Sequence, residues 1–117
     1  MSFALNAADT AFYSAHGYLV RESVFSLAEI SELQDAAECA ASRALVMADE
    51  GHSYILDQKR FTDVGQMTLQ FEQTVSSDLL RVIEPVDQLD PRLVSLVSDA
   101  RLVDPMQQLV GTPNIAL

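Results

Sequence analysis

Residues 26–49 read SLAEISELQDAAECAASRALVMAD, and this stretch decides the fold. Ser26-Leu27-Ala28-Glu29 has the form of a capping box, in which the serine oxygen takes a free backbone N–H and Glu29 reaches back to the cap. It predicts the longest helix of the chain, about Leu27–Asp49, closed near Gly51. The apolar positions Ile30, Leu33, Ala37, Ala40, Ala41, Ala44, Leu45 and Ala48 recur every three to four residues, while Glu32, Asp35, Ser42 and Arg43 take the other side. So many alanines on one face predict close packing against a sheet or another helix.

Upstream, Ala7–His16 reads as a short helix with Asn6 as N-cap and Gly17 placed to close it; Phe12 and the Tyr13/His16 pair lie at helical spacing. Tyr18-Leu19-Val20-Arg21 is β-prone and reads as a strand. Downstream, Tyr54-Ile55-Leu56-Asp57 and Gln66–Phe71 read as strands, the second alternating apolar Met67, Leu69 and Phe71 with polar neighbours. Ser76/Ser77 then read as the start of a short helix through Ile83, stopped at Glu84 by Pro85. Asp90-Pro91 and Asp104-Pro105 each offer an acidic cap followed by proline at the first helical position, which predicts helices at about Pro91–Ser98 and Pro105–Val110, with Asp99 capping a turn between them. Gly111 closes the last helix, and Ile115-Ala116-Leu117 reads as the beginning of a further strand. The order is that of an α+β chain with too few strands to close a barrel or sandwich alone.

Composition narrows the partners. The chain has 117 residues, 49% of them hydrophobic, with 17 acidic and 7 basic residues and a formal net charge of −10. One domain over residues 1–117 is the expectation, and its mean hydropathy of +0.12 argues against disorder. The negative field and the scattering of the basic residues, with Lys59-Arg60 the only adjacent pair, argue against nucleic acid and anionic membrane as partners. The longest apolar run, Ala36–Ala48, is interrupted by Glu38, Ser42 and Arg43 and falls short of the roughly 18 residues of a membrane span. The first residues carry no signal-peptide pattern, and the lone Cys39 fits a reducing, cytoplasmic setting.

Two phrases carry a family resemblance. The first is Phe12-Tyr13-Ser14-Ala15-His16-Gly17-Tyr18-Leu19-Val20, followed by Val24-Phe25-Ser26 and the Leu27–Leu33 helix start. The second is Leu93-Val94-Ser95-Leu96-Val97-Ser98-Asp99-Ala100-Arg101-Leu102, ending at Leu109-Val110-Gly111-Thr112-Pro113. Together they resemble the N-terminal region of the phytanoyl-CoA dioxygenase family of iron(II)/2-oxoglutarate oxygenases. The Asp104-Pro105 break departs from that family's more continuous helix. The resemblance implies the front portion of a double-stranded β-helix (jelly-roll) fold, with the barrel core absent from this chain. In full-length form it implies Fe(II) and 2-oxoglutarate as cofactors, hydroxylation of an aliphatic carbon in a small organic substrate, and the remaining barrel of the same protein as partner. The family's His-x-Asp pair, second His and 2-oxoglutarate-binding Arg have no counterparts here. Gln70 and Glu72 fall in a region that lies near the barrel mouth in relatives, which makes them candidate substrate-entrance contacts; ordinary strand-surface polarity, which explains them together with Gln66 and Thr68, is the preferred reading.

No catalytic, cofactor or metal residue is expected in this chain. Its two histidines are followed by Gly17-Tyr18 and Ser53-Tyr54, so neither begins a His-x-Asp pair. A triad of His16, His52 and Glu50 is arithmetically possible, yet His52 falls in a predicted loop with nothing to orient it. His16 is expected to pack at a helix C-terminus and His52 to be solvated. Cys39, mid-helix, lacks the cation or helix N-terminus that activates a thiolate and reads as core. There is no Gly-x-Ser-x-Gly and no glycine-rich phosphate loop. Carboxylate pairs such as Asp49/Glu50 or Asp87/Asp90 are common by chance among so many acids and read as a solvated face. The competing reading is a stand-alone acidic α+β module that binds a partner protein through its apolar helix face, without catalytic activity.

Overall fold

The structure is a computed structural model that describes residues 3–72 and 79–113. Its elements run α1 (Ala7–His16), α2 (Leu27–Ala48), β1 (His52–Leu56), β2 (Lys59–Val64), β3 (Met67–Phe71), β4 (Leu80–Glu84), a 3-10 turn at Asp87–Leu89, α3 (Pro91–Val97) and α4 (Ala100–Val110). This is an α+β chain. Two compact units are distinguishable, one formed by Met1–Ile30 with Ser95–Leu117 and the other by Ser31–Val94. None of the described helices is long and apolar enough to cross a membrane.

The second unit is a helix–sheet layer. Its four strands form an antiparallel meander in the order β1-β2-β3-β4. Tyr54 lies opposite Phe61, Phe61 opposite Gln70 and Gln70 opposite Val82, with an irregularity between Gln70 and Phe71. One face of β3 presents Met67, Leu69 and Phe71, all buried, and with Ala40 and Ala44 of α2 and Leu89 these form the core. Alanine has no side chain beyond Cβ, so α2 contributes only methyl groups to this core; Ala37 and Leu45, expected on the covered face, are exposed, and Ala36 is buried instead. Thr62 is buried among them at 1% exposure, and a 2.8 Å hydrogen bond between its hydroxyl and that of Ser53 satisfies it. Gly51 joins α2 to β1 at a point where a Cβ would sit 2.6 Å from Thr62 Cγ2 and 2.8 Å from the Asp63 carbonyl oxygen. Here glycine is required by the close approach of backbone to backbone.

The first unit is helical. Asn6 and Asp9 form a reciprocal capping box on α1, and Gly17, at φ 77°, ends it by donating its N–H to Tyr13 O. Ser26 and Glu29 make the expected box at the start of α2, with Ser26 N–H donating to Glu29 Oε2 at 2.7 Å and Glu29 N–H to Ser26 Oγ at 3.1 Å. Leu5 is buried, and its backbone is gripped by one amide of α4: Leu5 N–H donates to Gln108 Oε1 at 2.7 Å, and Gln108 Nε2 donates to Leu5 O at 3.1 Å.

Four expectations need correction. Tyr18–Arg21 is not a strand, because no ladder partner lies beside it among the described residues. The helix expected through Ile83 is instead strand β4 from Leu80 onward, where pairing with β3 recruits the β-branched Val82 and Ile83. Lys59–Val64, where the sequence predicts no strand, is strand β2. The Asp57-Gln58 turn that makes its hairpin has positive φ at both residues without a glycine to announce it. Finally, Asp104-Pro105 does not start a helix. Asp99 caps α4, Pro105 lies inside it and is buried, and the helix continues to Gly111. The residues from Ser76 to Asp78 and the strand expected near Ile115–Leu117 lie outside the described residues.

Gly51→Ala is expected to lower stability by about 1–3 kcal/mol through overpacking against backbone, read as a drop in the urea midpoint. Leu69→Ala should cost more, about 3–5 kcal/mol, by opening a cavity under α2.

Candidate functional site

Three places within the units concentrate chemistry. The first is a repeated clamp. At the start of α3, Asp90 Oδ1 accepts from the Arg92 backbone N–H and from its Nε, both at 2.9 Å, while Asp90 Oδ2 accepts from Nη2 at 2.9 Å. Arg92 Nη1 then donates to Asp35 on α2 at 2.7 Å. At the start of α4 the pattern recurs: Asp99 accepts from Arg101 N–H, Nε and Nη2 at 2.7–3.0 Å, and Arg101 Nη1 donates to Glu29 on α2 at 2.7 Å. Each aspartate thus caps a helix and grips, by a bidentate fork, a guanidinium whose remaining nitrogen reaches α2. Arg101 also lies over the Phe25 ring, 4.3 Å from its centroid. Arg43 adds a second cation 3.7 Å from Asp90 and donates to the Leu89 carbonyl.

These contacts set the titration of the clamps. Hydrogen bonds from Arg92 hold the Asp90 carboxyl down at about 2, and those from Arg101 do the same for Asp99. Glu29 is lowered by the Ser26 backbone N–H and then by Arg101. Asp90, whose side chain is only 3% exposed, is therefore neither part of a solvated face nor available as half of an acid/base couple with Asp87. Asp49 and Glu50 are exposed.

The second place is the sheet face turned away from the core. Tyr54 and Phe61 stack at a centroid distance of 5.6 Å, with His52 stacked on Tyr54 at 6.2 Å. The Tyr54 hydroxyl donates to Asp63 Oδ1 at 3.3 Å, and the Thr68 hydroxyl donates to the same oxygen at 2.9 Å. Desolvation, with Asp63 nearby, raises the Tyr54 phenol above its ordinary value. Gln70 is half-buried on this face between Phe61 and Val82, whereas Glu72 lies just beyond β3, exposed, its N–H donating to Leu79 O at 2.8 Å. Gln66 sits in the turn before β3.

The third is a cleft of about 600 Å³ in the first unit, lined by Leu19, Phe25, Ile30 and Met106 among others, with Arg21 and Arg101 also in its lining. Arg21 donates from Nη1 to Phe3 O at 2.9 Å. Its volume lies in the range of small-molecule sites, roughly 300–1,000 Å³.

Of the two histidines, His52 belongs to the aromatic stack on the sheet face turned away from the core, and His16 lies on α1. His16 is exposed at the end of α1, its ring 4.1 Å from Phe12 and its Nδ1 3.0 Å from Phe12 O. His52, expected in a loop, begins β1 and is exposed. Cys39 is half-buried on α2. Among the described residues no three His, Cys, Asp or Glu side chains are grouped to hold a metal ion. The donor set present does not fit the iron(II) site that the family resemblance implies, which needs two imidazoles and a carboxylate on one face.

The Asp-x-Arg clamps escaped the sequence reading, although Asp90-Pro91-Arg92 and Asp99-Ala100-Arg101 stand in the chain as a visible repeat. The Tyr54–Asp63–Thr68 cluster had no such signal, because it exists only once β2 is known to be a strand.

The folded-state values of Asp90 and Asp99 lie below the roughly 3.9 of an unfolded aspartate. Their stabilisation is therefore fully present above about pH 4 and is lost as pH falls toward 2. Arg101→Met, which keeps the apolar stem over Phe25, should flatten the acid dependence of the urea midpoint in that window. An unchanged slope would contradict the clamp. No family model, no curated protein and no solved structure matches this chain.

Proposed function

We propose that this chain is the N-terminal scaffolding of an iron(II)/2-oxoglutarate oxygenase resembling the phytanoyl-CoA dioxygenase family. Its helices would brace a jelly-roll barrel encoded further along. The observation that carries the proposal is apolar surface left uncovered on each unit. Leu27 is 89% exposed and Val20 71% in the first; Val46 is 73% exposed in the second, where Ile55 and Leu56 of β1 also face solvent. Side chains of this kind are ordinarily covered when they recur along one element. The order of elements supports the same reading. A glycine-closed α1 runs into Tyr18, a Ser26-capped α2 follows, and a glycine-closed α4 comes last, as in the two phrases that carry the resemblance.

In that role the chain contributes no iron ligand and no 2-oxoglutarate contact. The oxidative chemistry, hydroxylation of an aliphatic carbon in a small organic substrate, belongs to the full-length protein. Gln70, on the open face of β3, and the nearby Glu72 are the candidates for lining a substrate entrance.

One observation favours a second reading, the stand-alone interaction module. The sheet of the second unit is a meander in which each strand pairs with its sequence neighbour over a core drawn from Ser31–Val94 alone.

The two readings part at the coding sequence beyond Leu117. The oxygenase reading expects a His-x-Asp or His-x-Glu pair within a few dozen codons, then a later His and Arg; their absence ends it. A second test is anaerobic calorimetric titration of the 117-residue chain with Fe(II) and 2-oxoglutarate, for which no specific binding is expected. Micromolar affinity would contradict the scaffold role.

A further inference from the structure

We draw no further inference here: the strongest candidate, the apolar cleft of the first unit between the Leu19–Phe25 segment and α4, is an uncovered apolar face, and nothing in the structure shows what covers it.

Discussion

The packing of α2's alanines against the buried face of β3 is the constraint on which the second unit depends. Ala36, Ala40 and Ala44, each fully buried, stand four residues apart and so form one stripe along the helix. A larger side chain at Ala40 or Ala44 would push the helix away from Leu69 and Phe71, and the core would lose the contacts that order β3. Once β3 is fixed, β2 and β4 pair on its two sides, and β1 completes the meander by pairing with β2. Gly51 transmits the same tightness to the end of the helix, because the chain leaving α2 runs against the β2 backbone.

The same helix receives the clamps. Glu29, in its first turn, takes Arg101 within the first unit, and Asp35 takes Arg92 within the second. An acidic chain has a use for its few arginines here. Each guanidinium is held by a cap aspartate in a fixed fork, so the bond to α2 is made by a side chain whose freedom is already spent. Part of the acidity is thereby structural. Asp9, Glu29, Asp90 and Asp99 each accept from a backbone N–H at or near a helix start, where negative charge also complements the helix dipole.

The legible parts of this fold were those written in local chemistry. Asn6 with Gly17, and Ser26 with Glu29, fix the bounds of α1 and the start of α2 without help from the rest of the molecule. The alternation Met67-Thr68-Leu69-Gln70-Phe71 announces a strand with one covered face, and Asp90-Pro91 announces α3. What could not be read depended on partners distant in sequence. β2 is charged and follows a turn without glycine, so only its neighbours make it a strand. β4 carries an apolar run that suits a short helix equally well until β3 offers it a ladder. Pro105 looks like a helix start, yet Asp99 is the stronger cap and the helix passes through the proline. The candidate site was legible only in fragments. Gln70 and Thr68 could be placed on a strand face, but their neighbours Phe61 and Asp63 could not, and the arginine forks required two helices to be brought against a third.

The scaffold account rests on apolar surface that awaits a cover. The most direct measurement is fluorescence of a dye specific for exposed apolar surface, followed through thermal unfolding of the isolated 117-residue chain. The account predicts bound dye in the cold, folded chain, with Leu27, Val46 and the β1 side chains open to it. A cooperative transition from a folded state that binds no dye would contradict it and leave the chain as a self-sufficient module.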